Sequence, residues 1–112
     1  MKKGYTYILS NHTRTVLHIG STNNIERRVL EHKSGKGSFF TSKYNLKYLM
    51  HFETFPEIKS AVSREKQLKN WHKAWKWNLI RSHNPKLKDL AKDWFDEVDI
   101  VSVSSGRFGP AN

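Results

Sequence analysis

The amino-acid sequence predicts an α+β fold, in which a three-stranded antiparallel β-sheet is flanked by helices. Three short runs are rich in β-branched and aromatic residues, at residues 5–9, 15–19 and 46–52. A capped stretch follows the second run, and after the third run apolar residues recur at spacings of three and four, which is typical of an amphipathic helix. The order strand, strand, helix, strand, helix suits a two-layer domain, and 112 residues are enough for one.

The first two runs indicate an antiparallel hairpin. The polar sequence SNHTR at residues 10–14 separates them and suits the connection between two paired strands. Gly20 follows the second run and is predicted to end that strand, because glycine often marks the end of a regular element. The run at 46–52 supplies the third strand.

A helix is predicted over residues 25–33. Asn23 or Asn24 is a natural N-cap, and with Asn23 in that position Glu26 would complete a capping box. Serine and glycines at residues 34–37 end this helix.

A second helix follows Pro56, and its apolar stripe contains a carboxylate. The residues at spacings of three and four are Ile58, Ala61, Val62, Glu65 and Leu68. A carboxylate beside a core is costly unless it is paired, hydrogen-bonded or bound to a metal. Glu65 is therefore either a metal ligand or one half of a structural ion pair with a neighbouring Arg or Lys.

The C-terminal third contains three tryptophans within seven residues, Trp71, Trp75 and Trp77. We expect most of them to cover the sheet, while an exposed one among neighbouring cations could stack on nucleic-acid bases. A short helix is predicted over residues 87–95, which closes a domain of residues 1–95. Residues 96–112 are expected to form a flexible tail.

The segment SGKGSFFTSK at residues 34–43 combines glycines and lysines with Phe39 and Phe40. Its backbone amides and cations could follow a phosphate chain while an aromatic ring stacks on an unpaired base. A plain polar loop with one Phe anchored in the core is the alternative. The glycine spacing does not match a phosphate-binding P-loop, so nucleotide hydrolysis is not supported.

The net charge of +10 points to a polyanionic partner. Residues 1–88 hold 18 Lys+Arg and 5 Asp+Glu, and residues 89–112 hold 2 and 5. Such a basic body favours nucleic acid, because neutralised phosphates release their counterions. No segment combines a basic face with a broad apolar one, so a membrane partner is not expected.

The chain has no cysteine, which excludes disulfides and thiolate zinc sites and agrees with a reducing cytoplasm. No apolar stretch approaches the length needed to span a membrane. We expect a cytoplasmic protein that acts as a monomer.

Residues 5–32 gather the side chains that phosphodiester chemistry needs. Tyrosine and histidine can move protons, and arginine grips phosphate with a planar fork. Arg28 and His32 are one helical turn apart, which places them on the same face. This stretch lacks a metal-binding carboxylate in a suitable position, and Glu65 could supply one.

These sequences together resemble a known enzyme family. The strand pair YTYIL and LHIG, the helix entry STNNIERRVLEH, the loop SGKG and the later SREKQLKNW resemble the GIY-YIG nuclease superfamily. The resemblance covers roughly residues 3–90 and is closest to small single-domain members similar to the N-terminal nuclease domain of UvrC.

The resemblance implies a role for each matching residue. Tyr7 matches the tyrosine of the first motif, and Gly20 matches the glycine that closes the second. Arg28 matches the arginine of the first helix, and His32 the His or Tyr one turn later. Glu65 matches the single carboxylate that binds one divalent metal ion.

His18 departs from the pattern, because the second motif reads HIG where the family has YIG, and the first reads YTY where it has GIY. A histidine can still accept or donate a proton near neutral pH. His18 is therefore kept among the expected catalytic residues.

The implied activity is hydrolysis of DNA phosphodiester bonds with one Mg²⁺ or Mn²⁺ ion, with an expected role in repair or in processing of branched or damaged DNA. Glu65 would hold the metal, Arg28 would clamp the phosphate, and Tyr7 would activate water, with its pKa lowered by nearby cations. His32 or His18 would assist. The cations expected to contact nucleic acid are Arg27, Lys33, Lys36, Lys43, Lys66 and Lys69.

Two other classes of function are open on the sequence alone. One is a nucleic-acid-binding module that keeps the fold and charge and has lost catalysis, with His18 as the visible lesion. The other is an interaction domain that uses its basic face on an acidic protein.

Overall fold

The chain folds into a three-stranded antiparallel sheet with helices on both faces, as seen in a computed structural model that describes residues 3–104. The α+β fold predicted from the sequence is confirmed. In chain order the elements are β1 (Gly4–Ser10), β2 (Leu17–Thr22), α1 (Ile25–Lys33), α2 (Phe39–Lys43), β3 (Tyr48–Phe55), α3 (Ile58–Lys69), α4 (Lys73–His83) and α5 (Glu97–Ser104).

The first strand lies in the middle of the sheet, in the order β2-β1-β3. Strand β2 is therefore an edge strand, and in its register with β1 Leu9 faces His18 and Tyr7 faces Gly20. The strand does not end at Gly20 as predicted, because pairing continues through Ser21 to Thr22.

The start of β2 also differs from the prediction. It begins at Leu17, because the amides of Thr15 and Val16 donate to the side-chain oxygen of Asn11 instead of joining the ladder. Arg14 completes this tight connection with a left-handed φ of 59°. The side chain of Asn11 thus delays strand pairing by two residues.

The third strand is shifted towards the C-terminus relative to the predicted run at 46–52. Asn45 has a left-handed φ of 54°, and the amide of Leu46 donates to the carbonyl of Thr41, so the chain is still turning there. Pairing begins between Tyr48 and Ser10 and reaches Phe55 opposite Gly4.

Alternate residues of β1 enter two separate cores on opposite faces of the sheet, which makes three layers where the element order suggested two. The α1 face buries Tyr7, Leu9, Ile25, Val29, Leu46, Leu49 and Ala91. The α3 and α4 face buries Ile8, Ile19, Met50, Leu68 and Ile80. The edge of β2 is consequently approached by α1 on one face and α3 on the other.

Helix α1 is capped by Asn24, whose side chain accepts from the amide of Arg27. The capping box predicted for Asn23 and Glu26 is therefore not the arrangement in the structure. The cap fixes where α1 begins and so the direction in which its side chains point.

The tryptophans divide between core and surface. Trp71 and Trp77 pack against the α3 and α4 core, whereas Trp75 is 54% exposed. None of the helices within residues 3–104 has the length and apolar character needed to cross a membrane.

The prediction of a helix over residues 87–95 is wrong. Leu87 has a left-handed φ of 51°, and the amide of Lys88 donates to the side chain of Asn84. The amide of Leu90 donates to the carbonyl of Leu49 in β3. Because these amides donate to a side chain and to β3 instead of to helix carbonyls, the segment forms turns over the sheet. The predicted tail at 96–112 includes α5, and residues 105–112 lie outside the described residues.

Candidate active site

Five polar side chains from four elements meet at the free edge of β2. Tyr7 comes from β1, His18 from β2, and Arg28 and His32 from α1. Glu65 comes from α3, on the other face of the sheet. The residues that the sequence placed in one site are thus close to one another in the fold.

A glycine on the edge strand makes room for the tyrosine. A Cβ atom added to Gly20 would lie 2.5 Å from the hydroxyl oxygen of Tyr7 and 2.6 Å from its Cζ. The Tyr7 ring therefore passes directly over Gly20 towards the edge. Such a close approach of ring and backbone is possible only where position 20 has no side chain.

The Tyr7 hydroxyl links the two residues of α1. Arg28 Nε donates to Tyr7 Oη at 3.3 Å, and Tyr7 Oη lies 3.2 Å from His32 Nε2. With its oxygen accepting from Arg28, the hydroxyl can give its proton to His32. Arg28 Nη1 donates to Glu31 at 2.9 Å, which holds the guanidinium beside the tyrosine.

A threonine on α2 orients the histidine. Thr41 Oγ1 lies 3.0 Å from His32 Nδ1 and donates to the carbonyl of Ser38 at 3.1 Å. With the Thr41 proton directed to the Ser38 carbonyl, Thr41 can accept from His32 Nδ1–H. In that tautomer Nε2, which faces Tyr7, carries no proton.

Gly37 allows α2 to pack closely against His32. A Cβ atom there would overlap the imidazole of His32 and lie 2.7 Å from Thr41 Oγ1. The glycine-rich segment thus brings α2 against the site and does more than end α1.

Burial raises the pKa of Tyr7 above its usual value, and the hydrogen bond and charge of Arg28 offset that effect only in part. The lowered pKa expected from the basic sequence is therefore wrong. The cations near Tyr7 are too few to outweigh the loss of water around a side chain that is almost fully buried. Tyr7 carries its proton at neutral pH.

Both histidines of the site are neutral near pH 7. Burial, followed by the charges of Lys69 and Arg28, lowers the pKa of His18 to about 4. Burial and the charge of Arg28 lower the pKa of His32 to about 3. The His18 ring centroid is 6.1 Å from that of Tyr7 and 5.8 Å from that of His32, so the three rings form one cluster.

Glu65 reaches the edge of β2 at Ser21. Ser21 Oγ donates to Glu65 Oε1 at 2.5 Å, and Lys69 Nζ donates to Oε2 at 2.6 Å. Burial alone would raise the pKa of Glu65, but these two hydrogen bonds and the charge of Lys69 lower it below its usual value. The group is a carboxylate at neutral pH.

The Glu65 carboxylate suits a single divalent cation. The ammonium of Lys69 already sits on Oε2, so positive charge is favoured at this position. Among the described residues, no group of three His, Cys, Asp or Glu side chains could hold a metal. Mg²⁺ commonly keeps several waters and takes one or two carboxylates together with substrate phosphates, so one carboxylate is sufficient.

The cations expected to contact nucleic acid differ in their surroundings. Lys33 donates to Asp89 and to the carbonyl of Lys47, with its side chain only 12% exposed, so it ties α1 to the segment after α4. Arg27 lies 3.7 Å from Glu31, and Lys69 is paired with Glu65. The remaining expected residues are exposed, namely Lys36, Lys43 and Lys66.

Sequence reasoning missed Ser21 and Thr41. Ser21 directly follows Gly20, where the strand was predicted to stop. The sequence therefore did not predict that Ser21 belongs to the edge strand. Thr41 is nine residues after His32, and no helical spacing relates the two. The signal that could have found Thr41 is a β-branched hydroxyl residue directly after two phenylalanines in a segment that is otherwise polar.

Known proteins similar to this chain share its site-bearing region. The GIY-YIG catalytic domain model matches residues 3–78. A UPF0213 protein of Syntrophus aciditrophicus (strain SB) is 39% identical over 84 residues, which cover 74% of this chain and 95% of that protein. A UPF0213 protein of Clostridium perfringens (strain 13 / Type A) is 34% identical over 89 residues, which cover 80% of this chain and 95% of the relative.

A third UPF0213 protein is similar as well. The UPF0213 protein of Natronomonas pharaonis is 38% identical over 76 residues, which cover 68% of this chain and 88% of the relative. No solved structure matches the chain. The matched region contains all five residues of the site and implies a nuclease, and the chain belongs to the GIY-YIG family, among the small UPF0213 proteins.

Proposed function

We propose that this protein is a metal-dependent endonuclease that hydrolyses phosphodiester bonds in DNA. The observation that carries the proposal is the position of the Tyr7 hydroxyl between Arg28 Nε and His32 Nε2, at 3.3 and 3.2 Å. An ionised carboxylate, Glu65, lies at the same strand edge. A site for an uncharged ligand would need neither the fixed cation nor the carboxylate.

Arg28 would bind the phosphate that is cut. Nε and Nη1 hold the guanidinium against Tyr7 and Glu31, so Nη2 is the donor that would reach a non-bridging oxygen. A guanidinium fixed in advance stabilises the charge that develops on phosphorus without first having to reorganise.

Tyr7 and His32 would act together as the base. The attacking water would give a proton to Tyr7 Oη while the hydroxyl proton of Tyr7 passes to the bare Nε2 of His32. This relay needs no tyrosinate before the reaction, which agrees with the raised pKa of Tyr7. Thr41 would hold His32 in the tautomer that can accept the proton. His18 borders this pair as a neutral imidazole.

Glu65 would hold one Mg²⁺ or Mn²⁺. When bound, the ion would supply Lewis-acid stabilisation of the phosphate and of the leaving oxygen. Lys69 would have to leave Oε2, and its exposed side chain is free to do so. Ser21 would keep Oε1 oriented. A role in repair or in processing branched DNA, a monomeric state and a cytoplasmic location stay predictions from the sequence.

The test is incubation of the purified protein with single-stranded, duplex and branched DNA in Mg²⁺, Mn²⁺ or EDTA. We expect cleavage with either metal and none in EDTA. Glu65→Gln should abolish cleavage while DNA affinity stays equal or becomes tighter, because a negative charge near the phosphates is removed. Cleavage by Glu65→Gln at the wild-type rate would contradict the proposal.

The ion pair between Lys69 and Glu65 favours a second candidate, a binding module of the same fold without catalysis. In that case Lys69 would neutralise Glu65 permanently. The module would bind DNA with a steep salt dependence, would cut no substrate in any metal, and would bind equally well in EDTA.

A further inference from the structure

Three aromatic rings lie open to solvent beside the candidate active site. Phe39 is 83% exposed, and Phe40 and Tyr44 are each 43% exposed. They come from α2 and the residue that caps its C-terminus, and the Phe40 and Tyr44 ring centroids are 4.9 Å apart. Together with Lys43 they form what we call the aromatic patch. Contiguous exposed apolar surface of this kind marks an interaction site.

The aromatic patch is fixed against the site. Thr41, which lies between Phe40 and Lys43 in the sequence, is buried and contacts His32 Nδ1 at 3.0 Å. Ser38 caps the start of α2 by accepting from the amide of Thr41. The Phe40 ring centroid is 6.4 Å from that of His18. A group that binds to Phe40 would therefore lie beside His18, on a helix that Thr41 holds against His32.

The sequence around the patch carries no acidic residue, and its lysines other than Lys33, which is paired with Asp89, leave a net positive charge. Residues 32–52 contain no Asp or Glu and four lysines, at positions 33, 36, 43 and 47. Lys43 Nζ lies 6.0 Å from the Phe39 ring centroid and 5.5 Å from that of Tyr44. A second copy of the chain would bring like charges together on this surface. A polyanion that also carries flat apolar groups complements it.

We propose that the aromatic patch stacks unpaired bases of single-stranded DNA next to the phosphate that the site cuts. The proposal deepens the proposed function, because it names the substrate class as single-stranded or flapped DNA. In a duplex, each base is already stacked on its neighbours and does not present its face. An unpaired base can lie on Phe39 while Lys43 contacts the adjacent phosphate.

The first test measures binding without cleavage. Labelled oligothymidylate and a labelled duplex are titrated with the full chain in EDTA, and fluorescence anisotropy is recorded. Phe39→Ala should weaken single-strand binding roughly fivefold to a hundredfold. Duplex binding should change by less than about twofold, because the duplex is held by phosphate contacts alone. Phe39→Trp should restore single-strand binding.

Phe39→Ala should not disturb folding, because the ring is mostly in water. The matched control is Val98→Ala, which removes an exposed apolar side chain on α5. Single-strand binding should not change in that variant. An equal loss at Val98 and Phe39, or an equal loss of single-strand and duplex binding at Phe39, would overturn the proposal. A dimer that dissociates in Phe39→Ala would overturn it too, because the patch would then be a self-association surface.

The second test separates this proposal from the proposed function. Cleavage of single-stranded and duplex DNA is compared in Mg²⁺ for wild type and Phe39→Ala. Cleavage of both substrates at equal rates that Phe39→Ala leaves unchanged would overturn the base-stacking role and support the nuclease. Binding of single strands that depends on Phe39, without cleavage in any metal, would support the base-stacking role and overturn the nuclease.

Discussion

Tyr7 and Gly20 face each other across β1 and β2, and the tyrosine ring fills the space that a side chain at position 20 would need. This pair is what brings a residue of the central strand to the edge of the sheet. Without it, Tyr7 Oη could not lie within hydrogen-bonding distance of both Arg28 and His32.

Gly20→Ala should therefore damage activity more than folding. Its Cβ would lie 2.5 Å from Tyr7 Oη, so the ring must move away from Arg28 and His32. We expect a loss of about a hundredfold or more in cleavage rate. Overpacking should lower the free energy of unfolding by about 1–3 kcal/mol. Cleavage assays and denaturant unfolding of the same preparation measure the two effects.

Gly35→Ala is the matched control. Gly35 has a left-handed φ of 80° with open space around its Cβ position. Alanine there should lower stability by about 1 kcal/mol through backbone strain and leave the cleavage rate of the folded protein unchanged. Equal activity loss in both glycine variants would show that stability alone explains the effect at Gly20.

Arg28→Lys should lose about tenfold to a hundredfold in cleavage rate, although its charge is kept. An ammonium cannot donate to Tyr7, to Glu31 and to a phosphate oxygen at fixed angles, as the guanidinium does. Arg27→Lys is the control, because Arg27 faces Glu31 from the outside at 3.7 Å. Similar losses at both positions would indicate general attraction of DNA rather than a specific role for Arg28.

Lys69→Ala should reduce the Mg²⁺ concentration needed for half-maximal cleavage about twofold to fivefold. The Lys69 ammonium competes for Glu65 Oε2, and a half-exposed pair of this kind is worth at most about 1 kcal/mol. Metal titrations at saturating DNA measure the effect. Lys66→Ala on the same helix is the control and should not shift the metal dependence. A higher metal requirement in Lys69→Ala would mean that Lys69 helps to build the site.

Much of the fold follows from local patterns. Runs rich in β-branched and aromatic residues predicted the strands, and cap and stop residues predicted α1. Apolar spacing predicted α3, because that helix buries one clear stripe. The C-terminal limit of β2 could not be predicted, because a glycine usually ends a strand. Here Gly20 lies within the strand and leaves space for the Tyr7 ring. The sequence predicts a helix at 87–95, but the amide of Lys88 donates to the side chain of Asn84, four residues earlier. The amide of Leu90 donates to the carbonyl of Leu49 in β3, a pairing between residues distant in sequence.

The sequence and the family resemblance predict which residues belong to the candidate site. They do not predict the protonation states of those residues. The spacing of Arg28 and His32 gives a shared face from sequence alone, and the resemblance adds Tyr7 and Glu65. The pKa of Tyr7 is shifted upwards because the side chain is buried, and a count of nearby cations in the sequence does not reveal burial. The cleavage rate is likewise not expected to fall as pH drops through the usual histidine pKa, because the pKa values of His18 and His32 lie well below it.

The two buried histidines should make stability depend on pH. Their pKa values are about 4 and about 3 in the folded protein, below the usual value in the unfolded chain. Below the unfolded pKa, the unfolded chain binds more protons than the folded protein, so stability falls as pH falls towards the folded pKa values. Each histidine should contribute up to about 1.4 kcal/mol per pH unit in this window. Chemical denaturation at a series of pH values measures the slope.

His18→Tyr isolates one of the two contributions. It removes one titrating imidazole, so the slope of the free energy of unfolding against pH should fall by about half between roughly pH 5 and pH 6. If His18 also acts as a neutral proton acceptor, wild-type cleavage should fall only as pH approaches about 4, and His18→Tyr should flatten that limb. An unchanged slope in His18→Tyr would show that His18 is protonated as readily in the folded protein as in the unfolded chain.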